Sequence, residues 1–405
     1  MKLVVMKFGG SSVAGAEKVK HVAGRVIEKT KAGMGAVVVV SAPGDMTDDL
    51  IEMAKGVTDN PPPREMDMLL ATGEQASIAL LGMALHAKGQ DAISLTGPQA
   101  GIFADDDHTR ARITQIEPKK IVAELKKGRV VVVAGFQGLN KNQDITTLGR
   151  GGSDLTAIAL AAALKADLCE IYTDVEGVYT TDPRVVPEAR KLDEISYDEM
   201  LELAGAGAQV MQGRSVEVAK KFNVVFEVRS TFSQNPGTRV HKEGSKMEDV
   251  VVSGIALDRK QAKVSLVEIP DKPGVAAQMF SALAKAGINV DMIIQSQARD
   301  ASNDISFTVP EADLQKTLAA LEPVKTALGA KELLHDASVA KVAIVGVGMR
   351  SHPGVASKMF QTLADHKINI QMISTSEIKI ACVISRDQVD NAVKLLHKAF
   401  GLEKK

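Results

Sequence analysis

The sequence predicts an α/β protein: a mostly parallel central sheet sandwiched by helices, followed by two small βαββαβ modules. Short β-branched runs without polar alternation alternate with helical patterns through the first part of the chain, as in a sheet buried on both faces. Around residues 233–248 this pattern breaks into Ser-Gln-Asn-Pro-Gly and a charged stretch, which marks the end of a first domain. Beyond the break, residues 273–296 and 353–376 match at a constant offset of 80 with 13 of 24 positions identical.

Residues 3–6, 36–40, 129–134, 168–172 and 224–228 read as buried strands, and residues 16–29, 74–88, 155–165 and 197–203 as helices. Asn60-Pro61-Pro62-Pro63-Arg64 reads as a loop, because consecutive prolines fix φ and remove donors. Each copy of the repeat runs strand, Pro-Gly turn, helix, strand, strand, helix. The second copy ends with a helix over 387–399 and a short tail, leaving it one strand short. Residues 250–257, just before the first copy, are expected to supply that strand. The division expected is 1–249, then 250–405, with one module (about 263–338) inserted into the other (about 250–262 and 339–405).

The chain has 405 residues, enough for two or three domains at roughly 150 residues each. With 49 Lys plus Arg against 50 Asp plus Glu, no long-range field draws it to nucleic acid or anionic lipid, and 3% aromatics without Trp argues against base-stacking platforms. Two distant cysteines, Cys169 and Cys382, and eight histidines without paired spacing indicate neither a disulfide framework nor a metal site. A reducing, cytoplasmic location follows, with no secretory signal and no membrane partner expected; the longest apolar stretch, 155–164, is too short to span a bilayer.

Small-residue loops follow several strands, and in an open α/β sheet ligands bind outside the carboxyl ends of the strands. Lys7-Phe8-Gly9-Gly10-Ser11-Ser12 places a cation and close-approaching backbone after the first strand, although a plain tight turn would look the same. Ser41-Ala42-Pro43-Gly44-Asp45-Met46-Thr47-Asp48 and Gly135-Phe136-Gln137-Gly138 follow later strands. In Leu148-Gly149-Arg150-Gly151-Gly152-Ser153-Asp154, glycines would let backbone approach a ligand while the guanidinium grips a carboxylate or phosphate; capping alone would use only Ser153 or Asp154. Thr72-Gly73-Glu74 reads as a helix start, where Glu74 either complements the helix dipole or joins Asp154 in receiving a substrate ammonium. The segment from Tyr172 to Arg184 is either a turn-rich connection or a nucleotide pocket, and Asp105-Asp106-Asp107-His108 reads as a solvated loop.

Together Lys7 to Ser12, the loop at 41–47, Gly73-Glu74, Gly149 to Asp154 and Thr173 to Arg184 resemble the aspartate kinases, and the resemblance covers essentially the whole chain. It implies the amino-acid kinase fold followed by two ACT domains. It implies ATP with Mg²⁺ and L-aspartate as substrates, with Lys7, Gly10 and Asp154 catalytic. Lys7, Phe8, Gly9, Gly10, Ser41, Thr173, Asp174, Tyr179, Arg184 and Gln209 would bind ATP; Thr47, Glu74, Arg150, Gly151, Gly152 and Ser153 would bind aspartate. Gln209 stands where the family commonly has a nucleotide-contacting lysine, so weaker ATP affinity or compensation elsewhere is expected. The resemblance further implies feedback inhibition by lysine and/or threonine in a homo-oligomer joined through the ACT modules. A threonine-type site would draw on Asp271, Gly274, Ala276, Gln295, Asn369 and Ile370; a lysine-type site would draw on Asn289, Asp291, Ala356, Ser376 and Glu377. The alternatives are a kinase for glutamate or N-acetylglutamate, a catalytically silent amino-acid sensor, and a repeat that serves only dimerisation.

Overall fold

The computed structural model describes residues 2–208, 210–242, 251–297 and 302–403. The chain runs β1 (Leu3–Phe8), α1 (Ala16–Lys31), β2 (Gly35–Val40), α2 (Met46–Val57), α3 (Pro63–Ala87), β3 (Ala92–Leu95), β4 (Ile102–Ala104) and β5 (Ile113–Ile116). It continues with α4 (Lys119–Lys126), β6 (Val130–Ala134), β7 (Gln137–Leu139), β8 (Ile145–Thr147), α5 (Gly152–Leu164) and β9 (Leu168–Thr173). There follow β10 (Glu194–Ser196), α6 (Tyr197–Gly205), α7 (Gly213–Phe222), β11 (Phe226–Ser230) and β12 (Thr238–His241). An eight-stranded sheet has the order β10-β12-β11-β9-β1-β2-β6-β3, parallel except between β11 and β12. A four-stranded sheet, β5-β4-β7-β8, stands beside it in sequence.

Valine-rich strands are buried from end to end because helices cover both faces. On one face Val4, Met6, Val38, Val40 and Val132 pack with Val19, Val22 and Val26 of α1 and with Ile78, Leu81 and Leu85 of α3. The prolines do not keep residues 60–64 wholly in a loop: Pro63 is the first residue of α3, where a fixed φ suits the helix and the missing N–H would have had no partner. Glu74 consequently lies in the middle of a 25-residue helix and cannot act as a first-turn carboxylate. Pro63–Ala87 is also long and apolar enough to cross a membrane by length and composition, so the stretch at 155–164 is not the one that decides this. Half of its apolar window is buried in the protein, and Asp67 and Glu74 on it are buried too, as suits a core helix.

The C-terminal part runs β13 (Gly254–Asp258), β14 (Gln261–Pro270), α8 (Val275–Lys285), β15 (Ile293–Gln297), β16 (Ser302–Pro310), α9 (Leu314–Leu328) and β17 (Glu332–Asp336). It ends with β18 (Val339–Val345), α10 (Val355–Asp365), β19 (Met372–Thr375), β20 (Lys379–Ser385) and α11 (Val389–Ala399). Its two four-stranded sheets are β15-β16-β14-β17 and β13-β18-β20-β19. β13 pairs antiparallel with β18, Gly254 opposite Val345, in the position that β17 takes beside β14. Val250 lies outside the described residues.

The chain divides into two compact units, but not at one cut near residue 249. The first comprises Met1–Val178, Lys191–Leu201 and Gln209–Ser245; the second comprises Tyr179–Arg190, Glu202–Ala208 and Lys246–Lys405. The reason is local bonding within the second unit. The Ile255 N–H donates to the Thr180 carbonyl at 2.7 Å, Thr180 Oγ1 lies 2.9 Å from His397 Nε2, and Ala189 bridges to Glu403. Cys169 and Cys382 are free and buried, and burial pushes both thiols above their ordinary range.

Leu81 is fully buried between α3 and the sheet. Leu81→Ala is expected to cost about 2–5 kcal/mol, read as a lowered urea midpoint by circular dichroism.

Candidate active site

Strand register sets the site. Phe8 is level with Val40 and with Tyr172, and Val40 is level with Ala134, so the segments leaving β1, β2, β6 and β9 start from one rim of the sheet. Backbone bonds tie them together: Ser41 N–H to the Phe8 carbonyl (3.1 Å), Gly44 N–H to Gly10 (3.0 Å) and Gly135 N–H to Val40 (3.1 Å). Gly10 permits this closeness, since a Cβ there would lie 2.7 Å from the Ala42 carbonyl oxygen.

At this rim Lys7 Nζ and Asp154 Oδ1 form an ion pair at 2.6 Å, each side chain 11% exposed. Asp154 sits in the first turn of α5, whose N-cap Gly151 has φ 72°. A Cβ on Gly151 would meet Gln212 Cγ at 2.1 Å, one on Gly152 would meet Leu148 and Phe136 at 2.9 Å, and one on Gly135 would meet Ser153 Oγ at 2.7 Å. The glycine cluster thus reflects close packing under the start of α5 as much as room for a ligand. Ser153 is buried, whereas Arg150 is exposed and makes no ion pair among the described residues.

Glu74 is 3% exposed. Its Oε1 accepts the Ala42 N–H at 3.0 Å, and its Oε2 is buried without a partner. Burial pushes its carboxyl up to about 7. Gly73 brings α3 against the loop after β2, since a Cβ there would lie 2.7 Å from Ala42 Cβ. Thr47 and Ser41 are half-buried on that loop and the first turn of α2.

Of the remaining candidates, Gly9 donates its N–H to the Tyr172 carbonyl at 3.3 Å, and Thr173 Oγ1 donates to Asp174 at 2.9 Å. Phe8 is fully buried and stacked on Tyr172 with centroids 4.5 Å apart, so only its backbone is left to meet a ligand. Tyr179 and Arg184 belong to the second compact unit, where Arg184 grips Asp182 with Nε at 3.0 Å and Nη2 at 2.8 Å and holds that carboxyl below its usual range. Gln209 lies outside the described residues.

In the second unit, Asp271 accepts from Asn303 Nδ2 at 2.8 Å, and Gly274 caps α8 with Ala276 on its exposed first turn. Asn289 and Asp291 precede β15, which carries Gln295; Asn369 and Ile370 precede β19, and Ser376 and Glu377 follow it. Ala356 is half-buried at the start of α10. β15 and β19 approach one another, bringing the two sets of positions near each other. Several are engaged internally: Asp291 with the buried Lys341, Ser376 Oγ with Glu202 at 3.0 Å, and Glu377 with Arg350 at 3.2 Å.

No motif above includes Asp67. It lies seven residues before Glu74, two turns away on the same face of α3, and that spacing of two acids in an apolar helix is the signal for it. It takes His108, which is thereby tied down rather than free in a solvated loop, at 2.6 Å. Among the described residues no group of three His, Cys, Asp or Glu side chains is placed to hold a metal.

Residues 2–229 match the amino acid kinase family, and residues 264–323 and 342–400 match the ACT domain. The chain is 52% identical to an aspartate kinase of Pseudomonas putida over 100% of this chain and 98% of that protein. It is 51% identical to aspartokinase 2 of Bacillus subtilis, covering 100% and 99%. Among solved structures, aspartokinase III of E. coli in complex with aspartate and ADP superposes with a TM-score of 0.84 at 26% identity, covering 98% of this chain and 99% of that one. The same E. coli enzyme in complex with lysine and aspartate gives 0.77 at 26% identity, with the same coverage. With full-length relatives at this identity, family matches over residues 2–229 and a duplicated C-terminal module, the chain belongs to the amino acid kinase family, among its ACT-bearing aspartate kinases.

Proposed function

We propose that the chain transfers the γ-phosphoryl group of MgATP to the β-carboxylate of L-aspartate, giving an acyl phosphate and ADP, the first step towards lysine, threonine and methionine. The observation that carries the residue roles is the Lys7–Asp154 pair on the rim that also holds Glu74 and the Arg150 loop. A side-chain carboxylate has an ordinary pKa of about 3.9, so the acceptor is already ionised at neutral pH and needs no general base. The task is to bring it up to a polyanion.

Lys7 then meets the charge on the transferring group, with Asp154 fixing its ammonium, and the backbone of Gly9 and Gly10 comes close enough to assist. Ser41, Thr173 and Asp174 complete the nucleotide's surroundings on this unit. Arg150 grips the aspartate α-carboxylate in a two-pronged bond, while Thr47, Gly151, Gly152 and Ser153 shape the pocket. Glu74 receives the α-ammonium: its buried, unpartnered Oε2 is an acceptor in want of a cation. Mg²⁺ comes with the triphosphate as part of the substrate and offsets its charge.

For regulation, the candidate lysine and threonine positions cluster at β15, β19 and the Pro-Gly turns. Exposed Ile293 and Ile373 on these edge strands suit pairing with a second copy, making a homo-oligomer joined through the ACT domains. The reading includes a cytoplasmic enzyme, with the catalytic role on the first compact unit and the regulatory role on the second, without nucleic-acid or membrane partners.

Hydroxylamine trapping of the acyl phosphate, run across aspartate, glutamate and N-acetylglutamate, tests the reaction, and product from aspartate alone is expected. In that assay Lys7→Ala is expected to lower kcat by at least about 100-fold, and Arg150→Ala to raise the KM for aspartate by at least about tenfold with a smaller change in kcat; wild-type kinetics for both would remove the assignment.

Only ionised Glu74 can counter an ammonium, and its carboxyl titrates near 7 in the free chain. The KM for aspartate is therefore expected to rise as pH falls from about 8 to about 6. Glu74→Gln should leave KM high with that dependence gone; a dependence retained in the variant would place the titrating group elsewhere. In the regulatory unit, Asp271→Ala is expected to shift the threonine inhibition midpoint upwards by at least about tenfold, measured at fixed lysine.

A further inference from the structure

The segment that carries Arg150 is anchored by a buried carboxylate with no part in the chemistry above. Asp67 is completely buried on α3. It accepts from Thr147 Oγ1 at 2.5 Å, from His108 Nδ1 at 2.6 Å and from the Thr109 N–H at 3.1 Å. Thr147 ends β8, three residues before Arg150, and is itself fully buried. Thr109 is β-branched yet held at φ 69°, a conformation such residues rarely adopt without support. The other side of the segment is gripped by Arg214, whose Nη1 donates to the Leu148 carbonyl at 2.8 Å and Nη2 to the Ala111 carbonyl at 2.6 Å. Between them, the Ala111 N–H donates to the Thr147 carbonyl at 2.9 Å, and a Cβ on Gly149 would lie 3.1 Å from the Thr109 oxygen.

From this arrangement we infer that Asp67 is a positioning residue for aspartate recognition: through Thr147, Thr109 and His108 it fixes the strand end and loop from which Arg150 reaches the substrate. A buried charge is costly unless its hydrogen bonds are met, and all the donors it recruits lie on the two segments that flank Gly149. Arg150 itself is exposed and has no ion pair among the described residues to hold it, so its placement depends on the backbone beneath. A guanidinium that must meet a carboxylate in a two-pronged geometry tolerates little displacement of that backbone. The inference rests on the assignment of Arg150 to the substrate carboxylate.

The test uses the full-length chain and steady-state kinetics for both substrates. Thr147→Val keeps the side-chain shape and removes one donor; Asp67→Asn keeps the shape and removes the charge. Both are expected to raise the KM for aspartate about tenfold while kcat and the KM for ATP stay within about twofold. If Asp67 acts through Arg150, Thr147→Val should add less than about twofold in an Arg150→Ala background. Should Asp67→Asn fail to fold by circular dichroism, Thr147→Val decides. An unchanged KM for aspartate in Thr147→Val, or an undiminished effect in the Arg150→Ala background, overturns the positioning role while leaving Arg150 in place. A flat response to Arg150→Ala alone would instead remove the assignment of Arg150, and this inference with it.

Discussion

The Lys7–Asp154 pair is the interaction on which the site is built. It joins the penultimate residue of the first strand to the first turn of a helix that begins some 145 residues later in the chain, and each side chain is 11% exposed. An ammonium that far from water would be costly alone. Asp154 offsets that cost in the resting protein and fixes where the charge lies. An anion arriving at this rim would meet a cation already in place, with little reorganisation left to make. Because β1 lies between β2 and β9 in register, every loop of the rim is positioned relative to this pair.

Close backbone packing makes that geometry available. The loop after β2 is pressed between Gly10 on one side and Gly73 on the other, with Ala42 touching both positions, and the same Ala42 supplies the N–H that Glu74 accepts. Moving this loop would disturb the surroundings of Gly10 and of Glu74 together. The raised carboxyl of Glu74 follows from the same compactness: burial penalises its charge, and the single backbone donor only partly counters the effect. A site that charges most readily when a cation arrives is thus a by-product of dense packing around Gly73.

The central sheet was readable because its strands are long β-branched runs, and the repeat because thirteen identities at one offset leave a pattern. Lys7, Gly10, Arg150 and Asp154 stood out as motifs because small and charged residues concentrate where strand ends, loops and helix starts meet. Strands of three or four residues such as β4, β7 and β8 carry too few positions for any period to show. The start of α3 was hidden because a proline tract that reads as loop also serves as a helix first turn. Contacts such as Asp67 with Thr147, eighty residues apart, leave no local trace. Nor does the membership of residues 179–190 in the second unit, which depends on bonds from Thr180 to groups 75 and more residues away.

The two ACT modules show how strictly a duplicated sequence can hold backbone geometry when the connectivity differs. Gly274 and Gly354 occupy the same place in the two copies, each capping its helix at φ 96° with ψ within a few degrees. A side chain there would face strain in both modules, so the Pro-Gly turn persists for a backbone reason before any effector is considered. The fourth strand has no such local reason. In the first module it comes from β17, after the second helix; in the second module it comes from β13, which precedes the whole first module. Both lie antiparallel to the module's first strand, so an identical sheet is closed from opposite ends of the sequence. The second sheet therefore cannot be completed from contiguous chain, and its assembly requires the first module to be spanned. Non-local closure of that kind slows folding more than it alters stability, since loop-closure entropy grows only slowly with length. What the arrangement secures in return is that β13 and β14 emerge from the same short turn, so one strand of each regulatory sheet is fixed directly to the other.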